Sequence, residues 1–183
     1  MFIQTEQTPN PATLKFLPGC TVMESGTANF TDLAAAAARS PLAERLFALP
    51  EVSGIFLGSD FITVTKAGDG DWFELKPAVL AAVMEHFTAD LPVVVGSEET
   101  AAADATEDTE IVAAIKELLE TRVRPAVAQD GGDIIFEDFE DGVVYLHMQG
   151  SCSGCPSSTA TLKAGIENML RHYIPEVLEV RAV

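Results

Sequence analysis

The sequence predicts an α/β protein of the α+β kind, made of two small domains. Three observations predict it. Apolar runs with strand spacing alternate with runs of helical spacing in both halves of the 183 residues. Apolar residues make up 48% of the chain, enough to build a core. Between the halves, residues 96–108 contain no Lys, no Arg and no bulky apolar side chain. Such a stretch buries little and repels itself, so it reads as an acidic, extended linker. The alternative is a helical spacer, since Ala and Glu propagate helix well. The predicted domains are therefore 1–95 and 109–183.

In the first domain, residues 2–5 read as a short strand. Thr8-Pro-Asn-Pro11 is a rigid turn, because proline fixes φ and Asn tolerates turn geometry. Thr13-Leu-Lys-Phe-Leu17 returns as a strand, stopped by Pro18-Gly19. The alanine run 34–38 favours helix but offers no periodic apolar face. Ser40-Pro41 is a helix start, with Ser as cap and Pro in the first turn. Leu42, Leu46 and Leu49 keep helical spacing until Pro50. Residues 52–57 and 61–66 form a hairpin around Gly58-Ser-Asp60. A helix follows Asp69-Gly-Asp71, with Val79, Leu80, Val83, Met84 and Phe87 as its expected buried stripe. No catalytic arrangement is visible in this half. Cys20 is a lone thiol with no second ligand nearby, and reads as structural or incidental. His86 is expected at the surface or half-buried.

The second domain reads helix, strand, strand, helix, strand. Asp108 or Thr109 caps a helix carrying Ile111, Ile115, Leu118 and Leu119, which Pro125 ends or bends. Asp130-Gly-Gly-Asp133 is a turn that needs backbone freedom. Residues 134–139 and 143–149 form a hairpin with Asp141-Gly142 as its tight turn. Val144, Leu146 and Met148 face one way; Val143, Tyr145 and His147 face the other. The last helix carries Thr159, Leu162, Ile166, Met169, Leu170 and Tyr173 on one face, and Pro175 breaks it. Residues 177–183 close the domain as a strand. His147 and His172 read as ordinary strand and helix-end residues.

The candidate chemistry lies between the hairpin and that helix, in Gly150-Ser-Cys-Ser-Gly-Cys-Pro-Ser-Ser158. Pro156 opens the helix, and Ser157 and Ser158 can cap its first turn. Cys152 and Cys155 are thus expected beside the positive end of a helix, where thiolate is favoured over thiol, with Ser and Gly flanks that expose them. Four readings remain open from the residues. The pair merely packs in the core. It is a dithiol–disulfide oxidoreductase, Cys152 attacking and Cys155 resolving, although that motif usually follows an early strand rather than a hairpin. It binds Zn, which normally takes four protein ligands. Or it binds an iron–sulfur cluster, which normally takes four thiolates. One chain offers two at this loop, so two chains related by a two-fold axis are the simplest closure.

Composition narrows the partners. A net charge of −17 argues against nucleic acid and anionic membrane. Three cysteines do not suit a secreted disulfide framework. The opening Met1-Phe-Ile-Gln-Thr-Glu lacks the marks of a secretory or transit peptide, which suggests a bacterial cytoplasm rather than a mitochondrial matrix.

Residues 109–183 resemble the C-terminal domain of NifU-like proteins, through Arg124-Pro125, Asp130-Gly-Gly-Asp133 and the 150–158 motif. Residues 1 to about 90 resemble the Nfu N-terminal domain, through Gln7-Thr-Pro-Asn-Pro11, Leu14-Lys-Phe16, Ser40-Pro-Leu-Ala43 and Asp60-Phe-Ile-Thr-Val-Thr-Lys66. The resemblance implies a non-enzymatic scaffold or carrier. It would hold a cluster, usually [4Fe–4S] with [2Fe–2S] the alternative, on Cys152 and Cys155 of two protomers. It would receive that cluster from an upstream assembly scaffold and pass it to apo iron–sulfur proteins, forming a homodimer when loaded. The first domain would be a docking module. Without the amino-terminal extension of mitochondrial members, the bacterial reading is preferred.

Overall fold

The computed structural model describes residues 1–95, 109–153 and 156–183. The chain divides into two compact units, 1–98 and 99–183. The predicted linker, 96–108, lies outside the described residues.

The first unit is a five-stranded antiparallel sheet with three helices. Its strands are β1 (Gln4–Gln7), β2 (Thr13–Leu17), β3 (Ala28–Phe30), β4 (Val52–Leu57) and β5 (Ile62–Lys66), in the order β1-β2-β5-β4-β3. The helices are α1 (Leu33–Arg39), α2 (Pro41–Phe47) and α3 (Trp72–Thr88). The predicted turn at Asn10 sets the first register. Its side-chain oxygen accepts from the Ala12 N–H (3.0 Å), and its carbonyl accepts from the Thr13 N–H. Gln4 then pairs with Leu17 and Gln7 with Leu14, so β1 runs two residues later than expected and Phe2 is left exposed.

The alanine run is helical. Asp32 caps it by accepting from the Ala35 N–H at 2.8 Å, although only Ala36 is buried. Ser40 ends α1 and starts α2. Its N–H donates to the Ala36 carbonyl, and its hydroxyl oxygen accepts from the Ala43 N–H at 3.0 Å. The strand β3 has only three residues and was not anticipated. The core joins Phe16, Phe30, Leu42, Leu46, Ile55 and Ile62. Fully burying each such side chain is worth about 2 kcal/mol.

Two expectations on α3 need correction. Its buried stripe is Leu75, Val79, Val83 and His86, while Met84 is exposed; Leu80 and Phe87 only partly face the core. His86 is wholly buried rather than superficial. Its Nε2 donates to the Pro92 carbonyl at 3.1 Å, which leaves Nδ1 without a hydrogen-bond partner. Burial first, and Arg45 nearby, hold its pKa below the usual histidine value. Above about pH 6.5 both folded and unfolded chains carry neutral His86. Below that, the unfolded chain takes up a proton that the folded unit refuses. The first unit is therefore expected to lose stability as pH falls from about 6.5 toward the lowered folded pKa. Urea unfolding followed by the fluorescence of Trp72, the single tryptophan, should show its midpoint dropping across that window. His86→Gln should flatten the dependence.

The second unit packs helices on one side of a three-stranded sheet. The elements are α4 (Glu110–Leu118), a π turn (Leu119–Val123), α5 (Arg124–Gln129), β6 (Gly132–Glu140), β7 (Val143–Gly150), α6 (Pro156–Tyr173) and β8 (Glu179–Ala182). Strand order is β6-β7-β8, with β6 antiparallel and β8 parallel to β7. Thr109 caps α4. Pro125 does not end the helix. Proline has no N–H to donate and its ring crowds the carbonyl four residues back, and the π turn widens the helix just ahead of it. Asp141 and Gly142 both have positive φ, 51° and 80°, as a two-residue hairpin turn requires. Val144, Leu146 and Met148 point into the core with Ile115, Ile134, Ile166, Leu170 and Val180, as the alternation predicts. Tyr173 is a correction. It is exposed and stacks its ring on the Arg122 guanidinium, 5.2 Å away. Among the described residues no helix is long and apolar enough to cross a membrane.

Candidate functional site

The site is built where β7 runs out. Gly132 and Gly150 face each other as the last pair of the β6–β7 ladder, and Gly150 turns the chain with φ 64°. The loop beyond is stitched to the 130–133 turn. Ser151 N–H donates to the Gly131 carbonyl (3.2 Å), and the Ser151 hydroxyl donates to the Asp130 carbonyl. Thr159, in the first turns of α6, donates its hydroxyl to the Cys152 carbonyl at 3.1 Å. Cys152 is thus held between the hairpin and the helix.

Its sulfur does not face water, as the Ser and Gly flanks had suggested. Cys152 is only 6% exposed. The space it occupies is the missing side chain of Gly132: a Cβ there would lie 2.6 Å from the Cys152 sulfur. Of the two central glycines, Gly131 supplies the turn with φ 80° and Gly132 supplies the notch. The expected thiolate is also corrected at Cys152. Burial pushes the Cys152 thiol up to about 11. A hydrogen bond with Ser151 pulls the other way, and the charges of Asp130 and Asp133 raise it further. Cys155 lies outside the described residues, as do the side chains of Ser157 and Ser158. The structure does begin α6 at Pro156.

The 130–133 turn is fixed from the other side by an ion pair. Arg124 Nε donates to Asp133 Oδ1 at 2.9 Å and Nη2 to Oδ2 at 2.8 Å, a two-pronged contact. Its remaining Nη1 reaches Glu120 at 2.9 Å. The Asp133 side chain is 4% exposed and also accepts from the Ile134 N–H at 2.8 Å. These bonds hold the Arg124 pKa above its ordinary value, the contact with Asp133 contributing most. The motif residues gave no spacing signal for this pairing; two acids flanking Gly-Gly and an Arg directly before Pro were the available hints.

The other candidates lie elsewhere in their own units. Cys20 is half-exposed in the first unit. His147 is half-buried on β7, opposite Ile135, and His172 is exposed at the end of α6 against Tyr173. Among the described residues no three His, Cys, Asp or Glu side chains converge to hold a metal.

Two family models define the class of protein to which this fold and site correspond. The model described as "NifU-like domain" matches residues 115–181, and "Scaffold protein Nfu/NifU N terminal" matches residues 3–90. A human relative, "NFU1 iron-sulfur cluster scaffold homolog, mitochondrial", is 54% identical over all of this chain and 72% of its own length. "NifU-like protein 4, mitochondrial" of Arabidopsis thaliana is 53% identical over 97% of this chain and 64% of its own length. A solution structure of a NifU-like protein from Saccharomyces cerevisiae covers 53% of this chain and 87% of that one, at 24% identity and a TM-score of 0.48, too distant to bear on the argument. The chain belongs to the Nfu family of iron–sulfur cluster scaffold proteins.

These relatives overturn the expectation of a bacterial cytoplasmic protein, since they carry mitochondrial names. The inference failed because it rested on where the chain begins. A chain that spans 72% and 64% of these relatives says nothing at its first residue about a leader.

The geometry yields a stability prediction. Arg124→Leu leaves the Asp133 carboxylate buried without its cation. Breaking a buried pair this way costs several kcal/mol; about 2–3 kcal/mol is expected here because Arg124 keeps some contact with water. Arg181→Gln, which removes a surface pair with Glu179, should leave stability unchanged. Denaturant unfolding followed by far-ultraviolet circular dichroism separates the two.

Proposed function

We propose that the chain carries an iron–sulfur cluster on Cys152 and Cys155 and hands it to apo-proteins, without catalysing turnover itself. The observation that carries this reading is the ligand count within a scaffold-family domain. The strand-to-helix connection of the second unit bears two cysteines, and the third of the chain, Cys20, belongs to the other unit. A cluster normally takes four thiolates. Two copies, each giving Cys152 and Cys155, would complete a [4Fe–4S] set across a two-fold axis. Cluster binding and pairing would then be one event, and separating the copies would release the cargo. The first unit, in which no ligand set converges among the described residues, would dock cluster donors or recipients.

The residues of the chain have distinct parts in this. Cys152 and Cys155 supply sulfur. Gly150 and Gly132 let the two loops meet, and Thr159 ties the cysteine loop to α6. The oxidoreductase reading is the weaker one. The cysteine pair of such an oxidoreductase usually follows an early strand of a βαβ unit, whereas here it follows the β6–β7 hairpin.

Anaerobic reconstitution with iron and sulfide tests the proposal. About four iron per dimer, with broad visible absorption, is expected for the bridged cluster. Cys152→Ser and Cys155→Ser should each abolish that absorption while circular dichroism stays that of the folded chain. A full cluster in either variant, or a loaded protein that sediments as a monomer, contradicts the ligand assignment. A colourless monomer that reduces disulfides at a catalytic rate would restore the enzyme reading.

A further inference from the structure

A sulfur that bridges to a second copy of the chain has to face outward, yet Cys152 is 6% exposed. What covers it is not the apolar core alone. The Gly132 backbone lies so close that a methyl group there would sit 2.6 Å from the sulfur, 2.8 Å from the Gln149 carbonyl and 3.1 Å from the Cys152 nitrogen. The turn that carries Gly132 is tied into the sheet at its far side, where Gly132 pairs with Gly150 and Asp133 with Gln149. Asp130 and Gly131 hydrogen-bond back to the Val127 and Ala128 carbonyls, and Ser151 bonds it to the cysteine loop. Its far end is held by Asp133, whose carboxylate is gripped at both oxygens by Arg124. Arg124 is itself oriented by Glu120, one helical turn earlier.

We propose that Arg124 and Asp133 are positioning residues of a clasp: their ion pair closes the 130–133 turn over the Cys152 sulfur, and drawing that turn back is the step that exposes the sulfur to a cluster. The functional part of this inference rests on Cys152 being a cluster ligand; the enclosure itself does not. Gly131 is suited to be the hinge, because its φ of 80° lies where glycine rotates without penalty. The pair is placed to set the opening equilibrium. Its two charge-assisted hydrogen bonds join α5 to the start of β6 with the turn down.

The clasp can be tested without any cluster. The full-length, metal-free chain is treated with N-ethylmaleimide, and modification of Cys152 and Cys20 is followed by mass spectrometry, fragment ions separating Cys152 from Cys155 on their shared peptide, with the urea-unfolded chain as reference. In the folded chain Cys152 should react at least about tenfold more slowly than in the unfolded one, as for a group reached by local opening. Cys20, half-exposed, should be protected far less. With rates followed over a pH series so that each variant's thiol ionisation is separated from opening, Arg124→Gln and Asp133→Asn should each speed Cys152 by about tenfold, the effect of losing a charge-assisted hydrogen bond on a local opening equilibrium, and leave Cys20 unchanged. Arg124→Lys, which keeps the charge but not the two-pronged contact, should give an intermediate rate. It serves as the decisive variant should the other two fail to fold. A wild-type Cys152 that reacts at the unfolded rate overturns the enclosure. A Cys152 rate unchanged by the folded variants overturns the clasp. Neither result depends on reconstitution: if Cys152→Ser still loads a cluster, the ligand assignment falls while the reactivity result stands.

Discussion

The second unit depends on one close approach, the Gly132 backbone against the Cys152 sulfur. Any side chain at 132 would need the volume that the sulfur fills. The approach requires that β6 and β7 end together, and they do: the ladder closes on Gly132 opposite Gly150, so neither strand carries a Cβ where the loops cross. It also requires that the turn before β6 stay down, where the ladder, the Ser151 bonds and the Arg124–Asp133 pair all hold it. The helix that delivers Arg124 is not a regular one. The π turn puts an extra residue into the helix just before Arg124 and Pro125. Each helical residue advances by about 100°, so one extra residue turns everything downstream by that amount. The interruption that proline imposes thus also sets the direction in which Arg124 points.

Much of this architecture was legible in the residues. Period-two alternation assigned the inner face of β7, with Val144, Leu146 and Met148, because one face of the sheet is covered and the other is not. Asp141-Gly142 and Ser40-Pro41 were readable because each local conformation admits few residue types. The misses share a cause. α1 buries only Ala36, so its sequence had no face to show; β3 is held by pairing with β4 rather than by a pattern of its own. His86 falls in phase with Leu75, Val79 and Val83 on α3, and its polar type hid a position that periodicity alone would have called buried.

The site was half legible. That the cysteines follow a strand and precede a helix is local information, and the spacing carried it. Where the Cys152 sulfur points is decided twenty residues away in sequence by the absence of a side chain at Gly132, and no local rule reaches that far. The helix-terminus argument for a thiolate therefore lost to desolvation. A partial charge at a helix end is worth about 1 kcal/mol, whereas enclosing a thiol in protein removes a larger hydration energy from its ionised form. The neighbouring carboxylates of Asp130 and Asp133 act in the same direction as burial.

An enclosed sulfur and a ligand set divided between copies would govern the same quantity, the availability of thiolate to iron. On the proposed reading, division would make a loaded site conditional on two chains meeting. Enclosure makes each half conditional on a local opening. The two conditions would multiply rather than add, because opening would have to occur in both copies for four thiolates to assemble. A modest equilibrium at each turn then becomes a stringent one at the pair: if the turn is open one time in ten, both are open about one time in a hundred. A single ion pair of ordinary strength, placed beside the one glycine that the sulfur needs, has enough leverage to set that product.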